Sequence, residues 1–195
     1  MPTFDIPKNQ IHPAQIPIIY KLADLVKAKK VIELGSWVGE STSHWARAVK
    51  DNSGVVYAVD WFKGNENTDL KPVAEKIDIY SVFINNITEL GLRDYVRVFY
   101  MESSEAAKFI DDKSIDIVFI DASHEYHSIS KDIKTWYPKV REGGIICGHD
   151  CEDREWDERY IHQDVFEHKH HGVIKAVTEA FSEFNIEERI WWKIK

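Results

Sequence analysis

The sequence predicts a doubly wound α/β fold, a mostly parallel sheet with helices on both faces. Three observations point there. Short apolar runs alternate with helix-forming segments along nearly the whole chain. The run Ile115-Asp-Ile-Val-Phe-Ile120 is largely apolar, as befits a strand covered on both faces at the centre of a parallel sheet. Val31-Ile-Glu-Leu-Gly-Ser-Trp-Val-Gly39 reads as a strand, a glycine turn and the start of a helix. Such sheets bind nucleotide-like ligands at that carboxyl edge.

Taken in order, residues 1–13, with prolines at 2, 7 and 13, read as an extended arm. Ile18, Ile19, Leu22, Leu25 and Val26 recur at helical spacing and predict a helix over residues 14–28. A strand over 31–34, a helix over 40–50 and a strand over 55–60 follow. Residues 61–71, with Gly64, Asn65 and Asn67, read as a polar loop. Pro72 suits a first helical turn, and the helix it opens should run to Leu90, where Gly91 stops it. A third strand is expected over 96–100, then a short helix over 103–110 capped by Ser103 or Ser104. The fourth strand, 115–120, ends in Asp121. A helix over 128–137 stops at Pro138, and His127 falls at its N-terminal end. Gly143-Gly144 is read as a turn into a strand over 145–148, which delivers His149 and Asp150. An irregular stretch over 151–171, a helix over 173–184 and a last strand over 190–195 complete the chain. Trp191-Trp192 is read as packed in that strand, with a homo-oligomer contact as the alternative.

With 195 residues, no repeat and no low-complexity linker, the chain suits one domain. Its 44% hydrophobic and 30% charged residues are ordinary for a globular protein. A net charge of −8 argues against nonspecific binding to nucleic acid or anionic membranes. No signal-like N-terminus and no membrane-length apolar run is present, so the chain reads as cytoplasmic. Cys147 and Cys151 make no disulfide framework, and Cys147 is expected as a buried free thiol.

Asp60 ends the second strand, where its carboxylate can accept hydrogen bonds from both hydroxyls of a ribose. A dinucleotide loop wants G-x-G-x-x-G. Here the pattern is Glu33-x-Gly35-x-x-x-Gly39, and Trp37 stands where the middle glycine would be. That loop is less suited to a pyrophosphate than to the methionine part of S-adenosylmethionine.

Asp121 and Asp150 close neighbouring strands, so both would point into one cleft. Two such carboxylates repel, and call for a shared proton, a basic partner or a divalent cation. Oxygen ligands favour magnesium, while His149 would also admit manganese, iron or zinc. His124, three residues after Asp121, suits a general base. The His168-Lys-His-His171 cluster is read as a solvated polar loop, because no acid spacing accompanies it.

The order Glu33-x-Gly35-x-x-x-Gly39, Asp60-Trp61-Phe-x-Gly64, Asp121-Ala-Ser-His124-x-Tyr126, Gly143-Gly-x-x-x-x-His149-Asp150 and Gly172-Val-x-x-Ala176 resembles a class I S-adenosylmethionine-dependent methyltransferase. It is similar above all to the small-molecule O-methyltransferases, which include catechol-type, caffeoyl-CoA-type and antibiotic-sugar enzymes. The resemblance spans residues 14–195 and implies seven strands in a Rossmann-like methyltransferase fold. It implies that Glu33, Gly35, Ser36 and Gly39 line the methionine part of the cofactor, with Asp121 at the same edge. Asp60 would hold the ribose, Trp61 would lie against adenine, and Glu102 or Ser103 would stand near the adenine edge. Asp121, His149 and Asp150 match positions that bind a divalent metal (Mg2+ or Mn2+), His149 standing where many members have an acid. His124 matches the general base, and the acceptor would be a hydroxyl of a small molecule. A nicotinamide-dependent oxidoreductase shares the first strand and Asp60 but lacks the middle glycine. A catalytically silent cofactor-binding protein, or a histidine-based metal hydrolase, is a further alternative.

Overall fold

The computed structural model describes residues 11–66 and 68–195. The expected N-terminal arm thus lies outside the described residues up to position 10, as does Asn67 of the polar loop. Helix α1 (Ile16–Leu25) leads into β1 (Lys30–Leu34), α2 (Glu40–Lys50) and β2 (Val55–Asp60). Then come α3 (Leu70–Ala74), α4 (Ile79–Glu89), β3 (Val96–Tyr100), α5 (Ser103–Ala106) and β4 (Ile115–Ile120). Helix α6 (Tyr126–Trp136), β5 (Val140–Gly148), α7 (His171–Ala180), β6 (Asn185–Glu187) and β7 (Ile190–Ile194) finish the chain.

The seven strands form one sheet in the order β3-β2-β1-β4-β5-β7-β6. β1 to β5 are parallel, and β7 runs antiparallel to both β5 and β6. Chain direction across the sheet reverses between β1 and β4, and a crevice opens at the carboxyl ends beside that switch point. The alternation of side chains explains the two-sided burial. Val31, Ile117, Phe119, Ile145, Cys147 and Trp192 pack on one face with α1, α2 and α4. Ile32, Leu34, Val118, Ile120, Ile146 and Trp191 pack on the other with α5, α6 and α7. The expected doubly wound sheet is what forms. Trp191 and Trp192 are both buried, one on each face. Cys147 is a buried free thiol, raised well above the usual range by burial. Among the described residues, no helix is long and apolar enough to cross a membrane.

Several local expectations need correction. The helix expected from Pro72 to Leu90 is two helices, because Asp78 accepts the Ser81 N–H (3.1 Å) and caps a new start. Neither Ser103 nor Ser104 caps α5; Glu102 holds the cap position without a side-chain bond. Gly143-Gly144 lies inside β5, where the β4 pairing jumps from Ile115↔Val140 to Ile117↔Ile145 and Gly143 takes φ +69°. The last helix ends at Ala180 rather than 184, since Phe181 turns extended and sits near Trp191, ring centres 6.0 Å apart. This frees residues 185–187 to form β6.

Candidate active site

The sheet's hydrogen-bond ladder continues past the strand ends, and so fixes the residues that matter. Gly35 N–H donates to Val59 (2.9 Å), Asp121 N–H to Leu34 (2.8 Å), Met101 N–H to Asp60 (3.1 Å) and His149 N–H to Ile120 (3.1 Å). Above this edge lies a cavity of about 670 Å³. Gly35, Asp60, Trp61, Glu102, Ser103, Asp121, His124, His149 and Asp150 all line it. Glu33, Ser36 and Gly39 sit behind that wall.

The loop from Gly35 to Gly39 is shaped by backbone chemistry. Gly35 takes φ +84°, and a Cβ there would stand 2.2 Å from the Asp121 carbonyl oxygen. Gly39, at φ +89°, starts α2. Trp37 also has positive φ (+43°) and is buried in the core cluster beside α2 and α4. Glu33 is fully buried beneath the loop and accepts a hydrogen bond from Thr42 of α2. Burial pushes its carboxyl up to about 7. Glu33 Oε1 and Ser36 Oγ have no hydrogen-bond partner among the described residues.

Asp60 is already engaged. Its Oδ2 accepts the N–H groups of Ser36 (2.9 Å) and Trp37 (2.8 Å), and its Oδ1 accepts Phe62 N–H (2.6 Å). A carboxylate offers about four acceptor sites, so these bonds leave it limited capacity for ribose hydroxyls. Burial still raises its pKa, against those three bonds. Trp61 is half-buried, with Lys63 and Lys71 ammonium groups each 5.8 Å from its ring centre. The Ser103 hydroxyl donates to Asp132 (2.5 Å) and accepts Trp136 Nε1–H (2.8 Å), which makes it a structural link to α6.

At the other end, acids and imidazoles converge. His124 Nδ1 lies 2.6 Å from Asp164 Oδ1, and its Nε2 lies 3.1 Å from Asp150 Oδ2 and 3.8 Å from Asp121 Oδ1. The Asp150 approach lacks a hydrogen-bond angle, so Nε2 is unsatisfied among the described residues. His149 Nδ1 is 3.1 Å from Asp150 Oδ2 and 3.7 Å from Asp121 Oδ1. Burial alone would lower both imidazoles; the surrounding carboxylates outweigh it, lifting His124 well above its usual value and His149 above its own. Asp150 is buried at φ +58°, and His149 and His124 overcome its burial to hold it well below the carboxylate range. Asp121, His149 and Asp150 offer donor atoms within 4.8 Å of one another, as do His124, Asp150 and His170.

A family model of the methyltransferase domain matches residues 32–151, more than half of the sequence. The chain belongs to the methyltransferase-domain family. The matched span runs from within β1 through Cys151, while Asp164, His170 and Arg189 of the cavity lining lie beyond it. Its fold is similar to the O-methyltransferase from Bacillus cereus in complex with SAH, at 17% identity and a TM-score of 0.69 over 98% of this chain and 85% of that one. It is also similar to TomG, an O-methyltransferase from Streptomyces achromogenes involved in tomaymycin synthesis and solved with SAM. There the identity is 15% and the TM-score 0.67, over 98% and 84% of the two chains. The uncharacterized protein y4gI of Sinorhizobium fredii is 29% identical over 136 residues, which is 69% of this chain and 14% of that protein. Uncharacterized protein R132 of Acanthamoeba polyphaga mimivirus is matched over 21% of its length. The match therefore spans less than a quarter of the length of each of these curated relatives.

Four residues at this end of the cavity escape sequence reasoning: Asp164, His170 and Arg189, which line it, and Glu152, which pairs with His170. The solvated reading of the histidine cluster holds for exposed His168 and fails for His170 and His171, which are buried. His170 Nδ1 pairs with Glu152 Oε1 (2.8 Å), and its ring centre is 4.7 Å from that of His124. Asp150 also has the basic partner that paired acids call for, since Arg189 donates to its Oδ1. The segment bearing Asp164 is fastened to the His124 turn. Tyr126 N–H donates to the Ile161 carbonyl (3.0 Å), and a Cβ on Gly172 would stand 2.3 Å from the His124 carbonyl oxygen.

Proposed function

We propose that this domain transfers the methyl group of S-adenosylmethionine to a hydroxyl of a small molecule. Asp121, His149 and Asp150 would hold a divalent cation, and His124 would take the acceptor's proton. One observation carries the reading: His124 stands between Asp164 and the Asp121–Asp150 pair, on the wall of the cavity that Gly35, Asp60 and Trp61 also line. The residues fit both groups. Glycine at position 35 lets the loop close against the Asp121–Ala122 backbone at the cavity edge, and two carboxylates with one imidazole suit manganese as well as magnesium.

The donor supplies a sulfonium-bound methyl that is already electrophilic, and a bound cation would lower the pKa of the acceptor hydroxyl. The chain supplies alignment, which contributes up to about 7–11 kcal/mol in such displacements. It also supplies a route for the proton. Without a cation, Asp121 and Asp150, together with Asp164, lift His124 well above its usual pKa and favour its protonated form. Once the charge on those two carboxylates is balanced, Asp164 still orients Nδ1–H and leaves Nε2 as the acceptor, the division of labour of an Asp–His dyad.

The test is calorimetry with S-adenosylhomocysteine, followed by methyl-transfer assays over catechol, hydroxycinnamoyl and sugar acceptors with and without manganese. His124→Ala should lower turnover roughly a hundredfold or more with cofactor affinity unchanged. Failure of S-adenosylhomocysteine to bind would remove the donor, and full activity after chelation would remove the cation.

A further inference from the structure

The hairpin turn between β6 and β7 plays no part in that reaction, yet it is shaped around the site. Glu188 and Arg189 have φ +48° and +68°, a two-residue turn that favours glycine or asparagine at both places. Two contacts pin it there. Gln15 Nε2 donates to the Glu188 carbonyl (2.8 Å), and Cys151 N–H donates to the Arg189 carbonyl (3.0 Å). The turn sends the Arg189 guanidinium into the cavity wall, where it donates to Asp150 Oδ1 and lies 2.9 Å from Glu152 Oε1. Asp150 is thereby divided: Oδ1 faces a fixed positive charge, while Oδ2 faces His149 and His124.

We infer that Arg189 is a resident competitor for the divalent cation at Asp150: it neutralises the site when the cation is away and holds its affinity down. This rests on the reading of Asp121, His149 and Asp150 as the cation site. Two positive charges sharing one buried carboxylate repel each other, even with the Arg189 side chain partly open to solvent. Four carboxylates face this region, those of Asp121, Asp150, Glu152 and Asp164, and Arg189 is the guanidinium set against them. Removing it leaves more negative charge for a dication to meet. A buttress that merely held Asp150 in place would act in the opposite direction, because its loss would loosen a ligand and weaken binding.

Manganese binding to the full chain decides between them, followed by the electron paramagnetic resonance of free Mn2+ beside a thermal melt. Arg189→Gly suits the turn, since glycine takes φ +68° without strain, and Arg189→Gln is a second neutral variant that keeps a longer side chain. Both should bind Mn2+ at least tenfold tighter than the native chain, a gain of about 1.4 kcal/mol. Arg189→Lys should stay close to native, and adding Asp150→Asn should abolish the gain. Equal binding by native and neutral variants overturns the competitor while leaving the cation site standing. Weaker binding by the variants overturns it in favour of the buttress. No Mn2+ binding by any of them overturns the competitor and the cation site together.

Discussion

Glu33 lies fully buried under the loop that the cofactor would occupy, and its ionisation should be visible in the stability of the whole domain. Burial raises its carboxyl from 4.5 to about 7, while a hydrogen bond from Thr42 only partly opposes that rise. A folded-state pKa above the unfolded one means that the folded chain binds the extra proton between those values. Stability from this group is therefore complete below about pH 4.5, declines as pH rises, and is gone above about pH 7. Raising the carboxyl from 4.5 to about 7 corresponds to roughly 3 kcal/mol. Glu33→Gln removes the titration but keeps an oxygen for Thr42. Urea denaturation of both chains at pH 5, 6, 7 and 8 should give curves that separate with pH, the variant gaining about 3 kcal/mol on the native chain from the acid to the alkaline end. Any fixed cost of placing an amide beside the unpaired oxygen position is the same at every pH, so only the separation matters. A constant difference across the series would refute the reasoning and show that Glu33 keeps an ordinary carboxyl.

Asp60→Ala should weaken S-adenosylhomocysteine binding by about 1–3 kcal/mol and also lower the melting temperature, because three backbone N–H groups lose their acceptor. Unchanged affinity in calorimetry would make Asp60 an anchor of the loop alone. Gly35→Ala and Gly91→Ala both place a side chain at positive φ, a strain of about 1–3 kcal/mol each. Only the first meets backbone, at 2.2 Å, while nothing lies within 4 Å of the second. Denaturation should therefore show a clearly larger loss at Gly35, and equal losses would mean that the loop yields. Asp164→Asn should reduce turnover on the order of tenfold to a hundredfold with S-adenosylhomocysteine affinity kept, and native turnover in the variant would remove Asp164 as the group that orients His124.

The parallel sheet was legible because its strands are short, largely apolar runs, and Gly35, Asp60, Asp121 and Asp150, at the ends of β1, β2, β4 and β5, line the cavity edge. Gly35, Asp60, Asp121 and Asp150 follow from that periodicity alone. The break at Asp78 was not legible from the apolar pattern; its signal was the Asp78-x-x-Ser81 cap. His170 was dismissed for lack of nearby acids, and its acid, Glu152, is 18 residues upstream on an irregular segment. Asp164 reaches His124 across 40 residues and Arg189 reaches Asp150 across 39. Pairings of that kind depend on where β7 and the 151–170 segment come to rest, which neither propensity nor spacing encodes. Arg189 left one local trace, a Glu-Glu-Arg run before an apolar strand, which resembles any solvated turn.

Gly172 presses the start of α7 against the His124 carbonyl, and the Ile161 carbonyl is hydrogen-bonded to the turn that carries His124. The segment over 151–171 and the turn over 121–126 are consequently one mechanical part. Replacing the first without the second would break both of these contacts. The loop after β2 is tied to the same turn, since Asn65 Nδ2 donates to the Ala122 carbonyl (2.5 Å) and Glu66 and Asp69 border a second cavity with Ser123 and Glu125. The 121–126 turn is thus the common anchor of both segments, and a graft of either one between relatives should carry that turn with it.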